Sequence, residues 1–120
     1  MKYNKIVPEV IVGLGEHTEY YQDLKSIKKL HIDLEDWLGD DLMKCHPAYI
    51  VTENLKNGLQ SHKFNGFQFD DIEVTKGEHF EDNFQLDISL PKFYWMKITG
   101  KKDDDDLYIS PDKFLFLLQM

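Results

Sequence analysis

The sequence predicts a single acidic α+β domain over residues 1–120, with a mainly antiparallel or mixed sheet of about five to six strands and two to three short helices. Three observations carry that expectation. Apolar and polar residues alternate at several points, as in Leu30-His31-Ile32-Asp33-Leu34, with the two-residue period of a half-buried strand. Two hydroxyl residues stand just before acids, in Thr52-Glu53 and Ser110-Pro111-Asp112, in the manner of helix starts. The chain is 42% hydrophobic, and no Pro/Gly/Ser-rich linker divides it, so one core suits its length.

Taken in order, Ile6 to Leu14 is rich in β-branched residues and reads as one strand that stops at Gly13-Leu14-Gly15, with Pro8 marking an edge or a bulge. Residues 16–26 are ambiguous, since Tyr20, Tyr21, Leu24 and Ile27 have only partly helical spacing. Leu30 to Leu34 is a strand, and Asp36 to Asp41 a polar turn carrying Trp37. Cys45 to Val51 leads to Thr52, and Leu55 and Leu59 then share a face four residues apart, giving a short helix over 53–62. Phe67, Phe69, Ile72 and Val74 make a strand bent near Asp70-Asp71, and Phe84 to Leu90 alternates as another. Phe93 to Thr99 is apolar on both faces, which predicts an interior strand. Leu107 to Ile109 is a short strand, and Ser110 caps a terminal helix with the body Phe114 to Leu118, buried against the sheet. Tyr49 to Glu53 and Tyr108 to Asp112 look alike; both read as solutions to one strand-to-helix problem, an old duplication being the alternative.

Charge narrows the partners. Twenty-two acids face fourteen basic residues, for a formal charge of −8, and every basic residue is lysine. Arginine is the usual instrument of bidentate phosphate and base recognition, so nucleic acid is an unfavourable direct ligand and an anionic membrane no better. No segment approaches the roughly 20 apolar residues of a membrane span, and the start of the chain reads as a strand and not a leader, so a cytoplasmic protein is expected. The single cysteine, Cys45, permits neither an internal disulfide nor a multi-thiolate metal site.

No catalytic set stands out. His17, His31, His46, His62 and His79 lack the spacing of a zinc protease, and Gly13-Leu14-Gly15 lacks the pattern of a phosphate loop. Asp103-Asp104-Asp105-Asp106 lacks the alternation, glycine and closing glutamate of a calcium loop; it reads as a solvated loop, with a partner-binding patch or an ion site as alternatives. No enzyme, cofactor or metal is expected. Acids also gather at Asp33, Glu35, Asp36, Asp40 and Asp41, at Asp70, Asp71 and Glu73, and at Glu78, Glu81 and Asp82. Clusters sharing a face would attract a basic protein. The candidate contact residues are therefore Glu35, Asp36, Asp40, Asp41, Asp70, Asp71 and Asp103 to Asp106 (Asp103, Asp104, Asp105, Asp106), with Trp37 as an anchor or, alternatively, a core side chain.

Four stretches carry a resemblance. Ala48-Tyr49-Ile50-Val51-Thr52-Glu53-Asn54-Leu55 precedes Phe64-Asn65-Gly66-Phe67-Gln68-Phe69-Asp70-Asp71-Ile72; Leu90-Pro91-Lys92-Phe93-Tyr94-Trp95 and Gly100 come next; Asp105-Asp106-Leu107-Tyr108-Ile109-Ser110 leads into the expected terminal helix. Over residues 46–118 this order resembles small immunity proteins of bacterial polymorphic-toxin and contact-dependent growth inhibition systems. The resemblance implies an inhibitor that binds a co-encoded toxin, without catalysis, and transfers no site residue. Many such toxins are basic nucleases, which would suit an acidic inhibitor. Two other readings compete: a phage-type acidic decoy that mimics nucleic acid, and a small ligand-binding domain whose site is cryptic.

Overall fold

A computed structural model describes residues 2–10, 14–23, 26–34, 37, 39–76 and 90–118. In chain order these form β1 (Tyr3–Ile6), β2 (Glu9–Val10), β3 (Glu19–Tyr20), β4 (Ile27–Lys29), β5 (His31–Leu34), β6 (Leu42–Cys45), β7 (Ala48–Thr52), the helix α1 (Glu53–Ser61), β8 (Phe67–Asp70), β9 (Glu73–Lys76), β10 (Phe93–Ile98), β11 (Leu107–Ile109) and β12 (Leu115–Leu118).

A five-stranded sheet in the order β2-β6-β7-β10-β8 divides the molecule. It is mixed: β2 runs parallel to β6, and the other pairings are antiparallel. Every residue of β7 is buried, because both faces of this sheet are covered. Side-chain alternation sends Ala48, Ile50, Phe93 and Trp95 into one core, with Leu30, Ile32, Leu34 and Met43. It sends Tyr49, Val51 and Met96 into a second core, with Leu59, Leu107 and Leu115. The first core is closed by the parallel pair β5 and β9. The second is closed by α1 and a three-stranded antiparallel sheet, β1-β12-β11. Two substantial apolar cores therefore share one septum, and that shared sheet is what orients everything attached to its ends.

Several elements match expectation. The helix starts at Thr52, whose side chain accepts the Leu55 N–H, with Glu53 in the first turn and Leu59 buried. β10 is interior, paired with β7 on one side and β8 on the other. The coarse class also stands, a mainly β arrangement of roughly α+β kind.

Other expectations are corrected. The terminal helix is a strand: β12 lies between β1 and β11 and pairs with both. Among the described residues there is one helix, not two or three, and there are twelve short strands in four sheets, not five or six in one. The single early strand is broken into β1 and β2 around Val7-Pro8, and these join different sheets. The bend at Asp70-Asp71 is a sheet switch, with β8 in the five-stranded sheet and β9 beside β5. The ambiguous stretch holds β3, which pairs antiparallel with β4 just beyond it. The strand expected over Phe84 to Leu90 lies almost wholly outside the described residues.

Candidate functional site

The acidic residues singled out from sequence fall into two groups at opposite ends of β10. Thr52 pairs with Phe93 at the start of that strand, and Asp70 pairs with Trp95, so the ends of β7 and β8 lie together. Asp41 precedes β6 at the same end: its carboxylate accepts the Thr52 hydroxyl at 2.5 Å and faces the Asn54 amide at 3.4 Å. The Glu53 N–H donates to the Lys92 carbonyl at 2.9 Å, and the Lys92 ammonium feels the charges of Asp71 and Glu53, which help hold its pKa above the ordinary lysine value after the larger effect of Tyr94. This end thus gathers Asp40, Asp41, Glu53, Asp70 and Asp71 against Lys92 and Lys97. Lys97 binds Asp70 at 2.8 Å, and together with the Asp71 N–H it holds the Asp70 carboxyl below the usual range.

Asp103 to Asp106 sit at the other end, roughly 17 Å away for a six-residue strand at about 3.3 Å per residue. Much of that run is committed to its own turn. Asp105 accepts the Lys101 N–H at 2.8 Å, and Asp106 accepts the Asn65 N–H at 2.8 Å. The Tyr3 hydroxyl donates to the Asp105 carbonyl and accepts the Asp103 N–H. Asp103 takes a left-handed φ of 67°, which such a turn requires. Trp37 is half-buried against the first core, edge-on to Phe93, and its indole N–H donates to the Asp40 carbonyl at 2.9 Å. It braces the acidic end from behind. Glu35 and Asp36 lie outside the described residues, as do Glu78, Glu81 and Asp82.

One polar cluster escaped the sequence. β5 and β9 pair in parallel, setting His31 opposite Glu73 and Asp33 opposite Thr75. His31 is buried, and its Nδ1 accepts the His17 N–H at 3.1 Å. Its ring proton therefore sits on Nε2, which donates to Thr75 Oγ1 at 2.8 Å; that hydroxyl in turn donates to Asp33 at 2.9 Å. His17 stacks on His31 with ring centroids 4.7 Å apart and donates from Nδ1 to Glu73 Oε2 at 2.6 Å. Lys29 reaches the other Glu73 oxygen at 3.3 Å. The His17 hydrogen bond, more than any other contact, holds the Glu73 carboxyl below the usual range. Gly15 makes the cluster possible: its N–H donates to the His31 carbonyl at 2.7 Å, and a Cβ there would overlap the His31 ring.

His17, His31 and Glu73 offer ligand atoms within 4.8 Å of one another, the donor types that hold zinc. The hydrogen bonds argue against that use. A metal on His31 Nε2 would need the proton moved to Nδ1, where the His17 N–H already points. The two rings also lie stacked, whereas ligands of one ion converge on it edge-first. Nor is Thr75 prepared as a nucleophile, because its proton is directed to Asp33 and its lone pair meets an N–H. The arrangement is a clasp that ties residues 15–18 to β5 and β9. Its legible signals were the glycine two residues before His17, and the polar registers His31-x-Asp33 and Glu73-x-Thr75 on alternating strands.

No family model matches the chain, and neither a curated protein nor a solved structure is matched. Among the described residues, no helix is long and apolar enough to cross a membrane.

Proposed function

We propose that this chain is a non-catalytic binding protein whose acidic end, at the start of β10, captures and inhibits a basic protein partner. One observation carries the reading: carboxylates from three separate places in the sequence, Asp40-Asp41, Glu53 and Asp70-Asp71, meet at one end of the septum. They stand on a rigid double-cored scaffold, so a partner's cations would be met without reordering the surface. Exposed acids gathered in this way accelerate encounter with a basic protein and make it salt-sensitive.

The partner class that best fits is a co-encoded toxin domain, in line with the resemblance to immunity proteins, and a basic nuclease is the particular form. The last piece of that resemblance, a serine leading into a helix, is here a serine leading into β12. The proposal therefore leans on the acidic surface and not on the motif order.

The test is stopped-flow association with the toxin domain encoded next to this chain, at low and at high salt. Asp40→Lys with Asp71→Lys is expected to slow association at least about tenfold at low salt and much less at high salt. Asp41 is left intact because it holds the Thr52 hydroxyl. Failure to form a complex with any adjacent toxin domain at low salt, or a rate unmoved by the double reversal, overturns the reading.

A further inference from the structure

Lysines gather at one place beside the second core. A cleft of about 280 Å³ opens between the end of β1, the β6–β7 hairpin and the turn into β12. Lys5, Lys44 and Lys113 line it, and among the described residues no carboxylate does. In a chain where acids outnumber lysines 22 to 14, three lysines meeting without an acid is a local inversion. Among the described residues none of the three is ion-paired; Lys5 instead lies 3.7 Å over the Phe114 ring and Lys44 5.4 Å from the Tyr49 ring. The walls are apolar. Val7 is 81% exposed and Phe114 45%, both large hydrophobics left open at the cleft.

Tyr49 supplies a second, independent sign. The residue is 96% buried, since only 4% of it is exposed, and its hydroxyl has no hydrogen-bond partner among the described residues. No buried side-chain polar atom among the described residues is left unsatisfied, so the hydroxyl keeps some exposure, and Tyr49 is one of the residues that line the cleft. Burial raises the phenol above its ordinary pKa, which keeps the O–H as a donor. A phenol donor, three lysines and an apolar wall make a complementary set: charge for an anionic head, and Val7 and Phe114 for an apolar body.

We propose that this cleft binds a small amphiphilic anion, a carboxylate or phosphate head on a short apolar body. The phenol fixes the head, the lysines neutralise it, and the body covers the exposed side chains of Val7 and Phe114. The site is on a different surface from the acidic end and stands or falls independently of it.

The probes are octanoate, hexyl phosphate, inorganic phosphate and octanol, titrated into the full chain and followed by amide chemical shifts. Octanoate and hexyl phosphate should both perturb residues 5–8, 44–49 and 113–115, and the tighter of the two names the head group. Inorganic phosphate and octanol should each bind at least about tenfold more weakly, as each lacks half of the chemistry. Tyr49→Phe keeps the ring and should weaken the better probe about tenfold, the loss of one hydrogen bond to a charged group. Lys113→Gln, on an exposed turn, should weaken it by a smaller factor without touching the core. Absence of perturbation at these residues, equal binding of inorganic phosphate or of octanol, or an unmoved affinity in Tyr49→Phe would each overturn the proposal.

Discussion

Thr52 and Ser110 end two strands of closely similar sequence, and the chain leaves them in opposite ways. After Tyr49-Ile50-Val51, Thr52 accepts the Leu55 N–H at 3.3 Å and α1 begins. After Tyr108-Ile109, Ser110 accepts the Phe114 N–H at 3.1 Å, its own N–H donates to the Phe114 carbonyl, and the chain turns back as β12. Both hydroxyls cap backbone donors, so the cap by itself does not choose the outcome. The apolar pattern of the next few residues chooses it. Asn54 to Ser61 has one apolar stripe, Leu55 and Leu59, which a helix buries on one face. Phe114 to Leu118 is apolar throughout, and a helix would leave part of it in water. As β12 it buries Leu115 in the second core and packs Leu117 against it, stacks Phe116 on Tyr108, and satisfies backbone groups on both edges by pairing with β1 and β11. Lys113 takes a left-handed φ of 72°, which closes the turn and is incompatible with a continuing helix.

Substitutions in the two regions separate these roles. The largest effect is expected at Leu115, which is buried in β12: Leu115→Ala should lower the unfolding free energy by about 2–5 kcal/mol in urea titrations, because the cavity lies where two sheets meet. A loss below about 1 kcal/mol would mean that β12 does not anchor the second core. Thr52→Ala comes next, at about 1–3 kcal/mol, since the Leu55 N–H and the Asp41 carboxylate both lose their partner at a fully buried position. Circular dichroism should show helix signal lost alongside stability; stability lost with helix intact would assign the effect to Asp41 alone. Ser110→Ala should cost least, about 0.5 kcal/mol, because its turn is also held by backbone bonds. Equal costs at Thr52 and Ser110 would sink the contrast between a helix that needs its cap and a turn that does not.

The same distinction runs through what could be read in advance. The cap at Thr52 and the Leu55/Leu59 spacing act within a few residues, so α1 was legible from residue 52 onward. So was the interior place of β10, because both faces of Phe93 to Ile98 are apolar and only a doubly covered strand tolerates that. The acids at the start of β10 were legible as residues but not as a group, since Asp41, Glu53 and Asp71 are joined by pairings of β6, β7, β10 and β8. His17, His31 and Glu73 were hidden for the same reason, with a parallel pairing of β5 and β9 bringing positions 31 and 73 face to face.

From local sequence alone came the α+β class in outline, the helix α1 with its cap, and an acidic balance carried entirely by lysine and carboxylates. These depend on interactions within a turn or on composition, and need no partner strand. Tertiary structure decided that the final segment is a strand, that β8 and β9 belong to different sheets, and that the charges sort into an acidic end and a cationic cleft. Those outcomes rest on which edges and apolar faces are available elsewhere in the chain, and a five-residue apolar run such as Phe114 to Leu118 carries no information about that until its neighbours are in place.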